Sequence, residues 1–140
     1  MNIYSLVDDI YKVVSEKEPA EGVDLYDEID RFGENCKRLM ANLFTEKRDG
    51  RKLRMSNIGR DDRYLWNVVN NPDVQEEMPP NTYVKFMYGH LIEEMLLFLT
   101  RLSGHEVTDE QKQCEVAGIT GSMDCKIDGV VTDIKSVSTF

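Results

Sequence analysis

Cysteine is scarce in this chain of 140 residues: Cys36, Cys114 and Cys125 are far apart and odd in number. That argues against a disulfide framework or a four-thiolate metal site within one chain, and reads as reduced, mostly buried thiols. No apolar run reaches the length of a membrane span, and the stretch Met1-Asn2-Ile3-Tyr4-Ser5-Leu6-Val7-Asp8-Asp9 lacks the basic flank of a secretory leader. The expectation is a cytoplasmic protein with no membrane partner. Positive charge is short as well, with 17 Lys and Arg against 26 Asp and Glu, a formal charge of −9. A general nucleic-acid coat needs broad phosphate neutralisation, so this balance argues against one. It leaves room for a nuclease, whose metal site needs carboxylates and whose phosphate contacts can be confined to one basic patch. Internal repeats and low-complexity tracts are also lacking.

What is present reads as one soluble domain over 1–140, with 41% hydrophobic and 31% charged residues. It divides into a helical part (1–46), a basic loop and helix (47–70), and a core helix with a sheet (82–140). Apolar residues recur at helical spacing over 2–16, from Ile3 to Val14, and again over 24–46, from Leu25 to Phe44. Positive charge then collects at Lys47, Arg48, Arg51, Lys52, Arg54, Arg60 and Arg63, the candidate phosphate-binding region. Ser56 or Asn57 is expected to cap the helix carrying Tyr64, Leu65, Trp66, Val68 and Val69, a capped N-terminus suited to an anion. Asn71-Pro72 and Met78-Pro79-Pro80-Asn81 mark a linker. The most apolar helix follows at 82–103 and is expected to be central and buried, with Gly89, His90, Glu93 and Glu94 interrupting its surface. Strands are expected at 105–108 and 113–119 and in a hairpin over 121–137. The whole is an α+β arrangement with the long helix packed on a β-meander.

The hairpin carries the chemistry. Asp128-Gly129 lies between two alternating runs, and both turn residues tolerate positive φ. With these as the loop, Ile127 faces Val130 and Asp124 faces Asp133. Asp124, Lys126, Asp133 and Lys135 then share one face, and Met123, Cys125, Ile127, Val130, Thr132 and Ile134 the other. Facing aspartates repel and invite a cation. Magnesium or manganese takes such oxygen ligands, including a backbone carbonyl such as that of Ile134, and leaves positions for water and a phosphate oxygen. Lys135 would hold the attacking water or steady developing charge. The plain alternative is a solvated face of mixed charge. Glu115 approaches the same face or is simply an exposed strand charge.

Asp124 and Asp133-Ile134-Lys135, preceded by a glutamate-bearing helix, resemble the PD-(D/E)XK nuclease superfamily, and Asp133-Ile134-Lys135-Ser136 resembles its RecB-like branch, found in many phage genomes. Gly89-His90-Leu91-Ile92-Glu93 looks like the superfamily's helix motif, in which glycine permits close approach and the glutamate supports the metal. Ser56 and Gly59 spaced S-x-x-G, with Arg63 and Trp66 spaced R-x-x-W, resemble the N-terminal segment of RecB-like nucleases. The resemblance spans roughly 52–140. It implies a restriction-endonuclease-like core and catalysis by Glu93, Asp124, Asp133 and Lys135. Mg2+ or Mn2+ would sit on Glu93, Asp124, Asp133 and the Ile134 carbonyl, with His90 or Glu94 as further ligand candidates. DNA contacts would fall on Arg54, Ser56, Arg60, Arg63 and Ser136. Relatives with an iron-sulfur cluster place a cysteine where Asp61 stands, so no iron-sulfur cluster is expected. The superfamily core continues past the lysine strand with another helix and strand, often bearing a Gln/Tyr motif. Here that C-terminal part of the core is expected to be missing, and a homo-oligomer pairing at 130–137 is one expected way to complete it.

The leading expectation is a metal-dependent DNA nuclease, a phage DNA-processing exonuclease or endonuclease working in the host cytoplasm. The alternatives are a catalytically inactive nucleic-acid-binding module of nuclease ancestry, which predicts salt-sensitive binding, and a structural or regulatory acidic protein, which predicts none.

Overall fold

The fold, a computed structural model, describes residues 2–45, 52–71 and 79–135. Lys47, Arg48, Arg51, the linker from Pro72 to Met78 and Ser136 lie outside the described residues. The N-terminal helices form where the apolar spacing places them. After a short 3-10 turn, α1 spans Leu6–Glu16 and stops at Lys17, which takes a left-handed conformation (φ 58°). Helix α2 spans Leu25–Thr45. The Asp24 carboxylate accepts from the Tyr26 and Asp27 amides at 2.8 and 3.2 Å, satisfying two donors that the first turn leaves open.

Helix α3 (Asp62–Asn70) begins later than a cap at Ser56 or Asn57 implies. Asp61 is its cap, accepting from the Arg63 and Tyr64 amides, while the Asn57 side chain turns back to the Arg54 amide at 2.9 Å. The separation comes from Gly59, whose φ of +86° breaks the chain between the short turn Met55–Asn57 and α3. Nor is α3 a core helix: Trp66 is 60% exposed, and Tyr64 and Val69 are exposed with it.

Helix α4 (Pro80–Leu102) starts two residues before Thr82, with Pro80 at a first-turn position where no intrahelical donor is lost. Its central, buried character holds for the C-terminal half only. Leu97, Thr100, Arg101 and Leu102 are buried, whereas Tyr83, Val84, Phe86 and Tyr88 are exposed. Phe32 of α2 meets Phe98 at 5.4 Å between ring centroids. At the other flank the Ala20 amide donates to the Leu102 carbonyl at 2.8 Å.

Strands β1 (Val107–Thr108), β2 (Lys112–Val116), β3 (Ile119–Met123), β4 (Cys125–Ile127) and β5 (Val130–Thr132) do not form one meander. They make a three-stranded sheet in the order β1-β4-β5 and a separate β2–β3 hairpin, all antiparallel. The expected strand at 113–119 is broken because Ala117 and Gly118 both take positive φ (52° and 76°), the requirement of a two-residue hairpin turn. The core lies where α4 meets the three-stranded sheet: Leu97, Cys125 and Ile127, with Ile3, Leu6, Val107 and Ile134 packed around them. The inward face of β4 is therefore as the alternation predicts. Val130, expected inside, is exposed, because β5 is an edge strand and α4 covers β4 instead.

Two buried ionic groups tie these layers together. Arg101 lies 2.5 Å from Glu110 and 3.9 Å from Glu28, and Arg31 of α2 reaches Glu110 at 3.3 Å. The fully buried His105 imidazole stands between Asp9 of α1 (3.1 Å from Nε2) and Asp128 of the hairpin turn (2.7 Å from Nδ1). None of the described helices is long and apolar enough to cross a membrane.

Candidate active site

The hairpin register is the predicted one: Ile127 pairs with Val130, Lys126 with Val131 and Cys125 with Thr132. The ladder ends there. Asp124 and Asp133 stand just past it, at the open end of the hairpin. Asp124 is the single residue between β3 and β4, the point where the chain passes from one sheet to the other. Its carboxylate accepts from the Ile134 amide at 2.9 Å, so the described contact of Ile134 with the site runs through its N–H rather than its carbonyl. Lys135 closes onto Asp133, with Nζ 2.6 Å from Oδ1, and its side chain is 73% exposed. Lys126, on the same predicted face, is taken by Asp109 at 2.7 Å.

Glu93 approaches from α4. Its Oε1 accepts from Gln111 Nε2 at 2.6 Å, and Oε2 lies 3.7 Å from His90 Nδ1. Burial, and next the charge of Asp124, push the Glu93 carboxyl above its ordinary value of 4.5, against the pull of Gln111 and His90. The Asp133 carboxyl is held below 3.8 by its bond to Lys135. That same bond first, and then the charges of Asp133, Asp124 and Glu93, hold the Lys135 ammonium above 10.5. These four groups therefore lie in one another's fields, though Glu93 is on a helix and the others flank a hairpin.

Glu94 does not join them. Neighbouring helix positions point in different directions, and Glu94 is buried toward α2, where its Oε2 accepts from Asn35 Nδ2 at 3.0 Å. Glu115 is an exposed residue of β2 opposite Thr120. Among the described residues no three His, Cys, Asp or Glu side chains stand together at metal-ligand spacing. The oxygen donors Glu93, Asp124 and Asp133 are nevertheless the kind that hard divalent ions take, and a half-buried Glu93 beside a second carboxylate is a pair that a cation would relieve.

The predicted nucleic-acid residues divide. Arg54 is bridged to Thr120 of β3 and lines a cleft of about 740 Å³ between α2, α4 and the β2–β3 hairpin, into which His90, Glu93 and Glu94 also open. Ser56 is exposed on the short turn that Arg54 begins. Arg60 stacks over Tyr64 at 5.9 Å, and Arg63 lies in the first turn of α3; neither lines that cleft. Four contributors are invisible to sequence patterning. Gln111 holds Glu93 from a turn with φ of 49°, Asn35 and Arg38 enter the cleft from α2, and His105 pairs with an aspartate 96 positions away. Comparison with models of known protein families, with curated proteins and with solved structures returned no match to this chain.

Proposed function

We propose that this chain is a metal-dependent nuclease that hydrolyses phosphodiester bonds in DNA, with Glu93, Asp124 and Asp133 as the metal carboxylates and Lys135 as the cationic assistant. What supports the reading is the electrostatic influence of these four groups on one another. Burial and Asp124 raise the Glu93 carboxyl, and Asp133, Asp124 and Glu93 raise the Lys135 ammonium. Mg2+ or Mn2+, when bound, supplies Lewis-acid polarisation of the phosphate and of a water molecule. Gln111 orients Glu93, the Ile134 amide orients Asp124, and Lys135 presents a charge to the scissile phosphate once released from Asp133. A restriction-endonuclease-like core and a phage DNA-processing role belong to this reading. So does a second copy pairing on β5, an edge strand with Val130 and Val131 exposed.

The test is cleavage of linear and circular DNA in Mg2+, Mn2+ or EDTA, with wild type, Lys135→Ala and Asp124→Asn. Metal-dependent cleavage lost in both variants is expected, and the linear-versus-circular contrast separates exonuclease from endonuclease. Absence of cleavage together with absence of Mn2+ binding overturns the proposal.

A further inference from the structure

The cleft beside Glu93 has a composition that its neighbours do not. In a chain with an excess of nine negative charges, two guanidinium groups, Arg38 from α2 and Arg54 from the β3 edge, open into one cavity of about 740 Å³. The arginine ion pairs among the described residues belong to Arg31 and Arg101, so neither cleft arginine is neutralised by a carboxylate there. Arg38 is also positioned. Buried Glu94 accepts from Asn35, and the Asn35 Oδ1 accepts from Arg38 Nη2 at 3.2 Å, so a chain of hydrogen bonds aims the guanidinium. Of the three carboxylates lining the cavity, Glu110 is held by Arg101 and Arg31, while Glu94 and Glu93 accept from the Asn35 and Gln111 side-chain amides. Glu94 is buried, which leaves Glu93, the candidate metal carboxylate, as the anion that an occupant meets.

Two aromatic rings stand on the same wall. Tyr83 and Phe86 of α4 are 51% and 48% exposed, on the half of the helix that α2 and the sheet leave open. Cations for phosphates beside uncovered rings for bases are the two elements of a single-strand groove, where stacking is tolerant of sequence because every base has a π-face. The volume agrees. Sites of about 300–1,000 Å³ accept a small organic molecule, the scale of a few nucleotides of one strand rather than of a duplex.

We infer that the cleft is a single-strand channel: Arg38 and Arg54 hold successive phosphates, Tyr83 and Phe86 stack the bases, and the strand is led to Glu93. Glu94 is then a positioning residue for Arg38 rather than a metal ligand. This rests on the nuclease reading for what happens at the end of the channel, but not for the binding itself.

The two are separable. Fluorescence anisotropy in EDTA, with a labelled ten-nucleotide oligothymidylate, a blunt duplex of the same length and thymidine monophosphate as competitor, reads binding without metal or cleavage. Oligothymidylate is expected to bind about tenfold more tightly than the duplex and to resist the mononucleotide. Arg38→Ala and Tyr83→Ala are each expected to weaken it about tenfold, with circular dichroism unchanged. Glu94→Gln, which keeps an acceptor for Asn35, is expected to weaken it less than Glu94→Ala. Equal affinity for duplex, displacement by the mononucleotide at equal concentration, or binding insensitive to both Arg38→Ala and Tyr83→Ala overturns the channel. Single-strand binding that persists while no metal supports cleavage upholds the channel and removes the nuclease reading. Metal-dependent cleavage without single-strand preference does the reverse.

Discussion

Nδ1 of His105 lies 2.7 Å from the Asp128 carboxylate, joining the segment that leads into β1 to the turn between β4 and β5. Asp128 also accepts from the Glu106 amide at 3.1 Å, and the other ring nitrogen of His105 meets Asp9. The turn residue that marks the hairpin in the sequence is thus a buried acceptor as well. His105→Ala leaves that carboxylate without its ring partner, and loss of one member of a buried pair costs about 3–5 kcal/mol. Urea unfolding is the measurement; a loss below about 1 kcal/mol would show that the pairing is incidental.

The same pairing sets an acid limit. Burial opposes ionisation of Asp128, but the His105 hydrogen bond and the Glu106 amide outweigh it, and Asp128 is held below 3.8. Asp9 is lowered as well, through Ser5 and then His105. A carboxyl lowered in the folded state adds stability above its unfolded value, and that stability is lost as pH falls through the folded value. Stability is therefore expected to decline below about pH 3.8, and Asp128→Asn should flatten that limb of the curve. Acid titrations followed by circular dichroism compare the two.

Glu93 has the opposite sign. Its carboxyl is raised, by burial and then Asp124, so the folded chain keeps the proton longer than the unfolded one. Its contribution is favourable in acid and is lost as pH rises from 4.5 through the folded value. Glu93→Gln removes that repulsion while leaving an acceptor for Gln111. The variant is expected to melt higher than wild type at neutral pH without metal, and to show none of the Mn2+ stabilisation expected of the wild type. A lower melting temperature in EDTA would contradict this.

Gly121 is a contact rather than a turn. A Cβ there would lie 2.7 Å from Met55 Sδ and 2.9 Å from both Met55 Cβ and Cγ. Gly121→Ala should push the Arg54-Met55 segment off β3, at about 1–3 kcal/mol for overpacking. Met55→Gly in the same chain, which removes all three contacting atoms, should relieve most of the clash, a coupling that a double-mutant cycle measures directly.

Much of the local structure was legible. Apolar spacing located α1, α2 and α4 to within a few residues, and Asp128-Gly129 gave the hairpin with its register. The inward face of β4 followed from alternation at Cys125 and Ile127. What escaped was set by distant partners. Ala117-Gly118 looks like strand and turns out to be a turn, because positive φ at an alanine is enforced by the pairing of β2 with β3. Phe86 and Met95 lie on the helix that spacing reads as buried and are exposed, because periodicity says only that a face is apolar, not that anything covers it. Glu93 and Glu94 are neighbours in the sequence, and only packing reveals that Glu94 turns to Asn35 while Glu93 meets Gln111. No pattern in the sequence brings Asp9 to His105.

The passage between the two sheets has a mechanical side. One residue links β3 to β4, so if the β2–β3 arm swings, the φ and ψ of Asp124 lie on its pivot. The pivot also bears a carboxylate, and its backbone carbonyl is held by the Gln111 amide at 2.8 Å. Whatever grips the carboxylate stiffens the arm, and whatever grips the arm re-aims the carboxylate, since coupling between two sites is reciprocal. The joint and the candidate metal carboxylate share a single α-carbon.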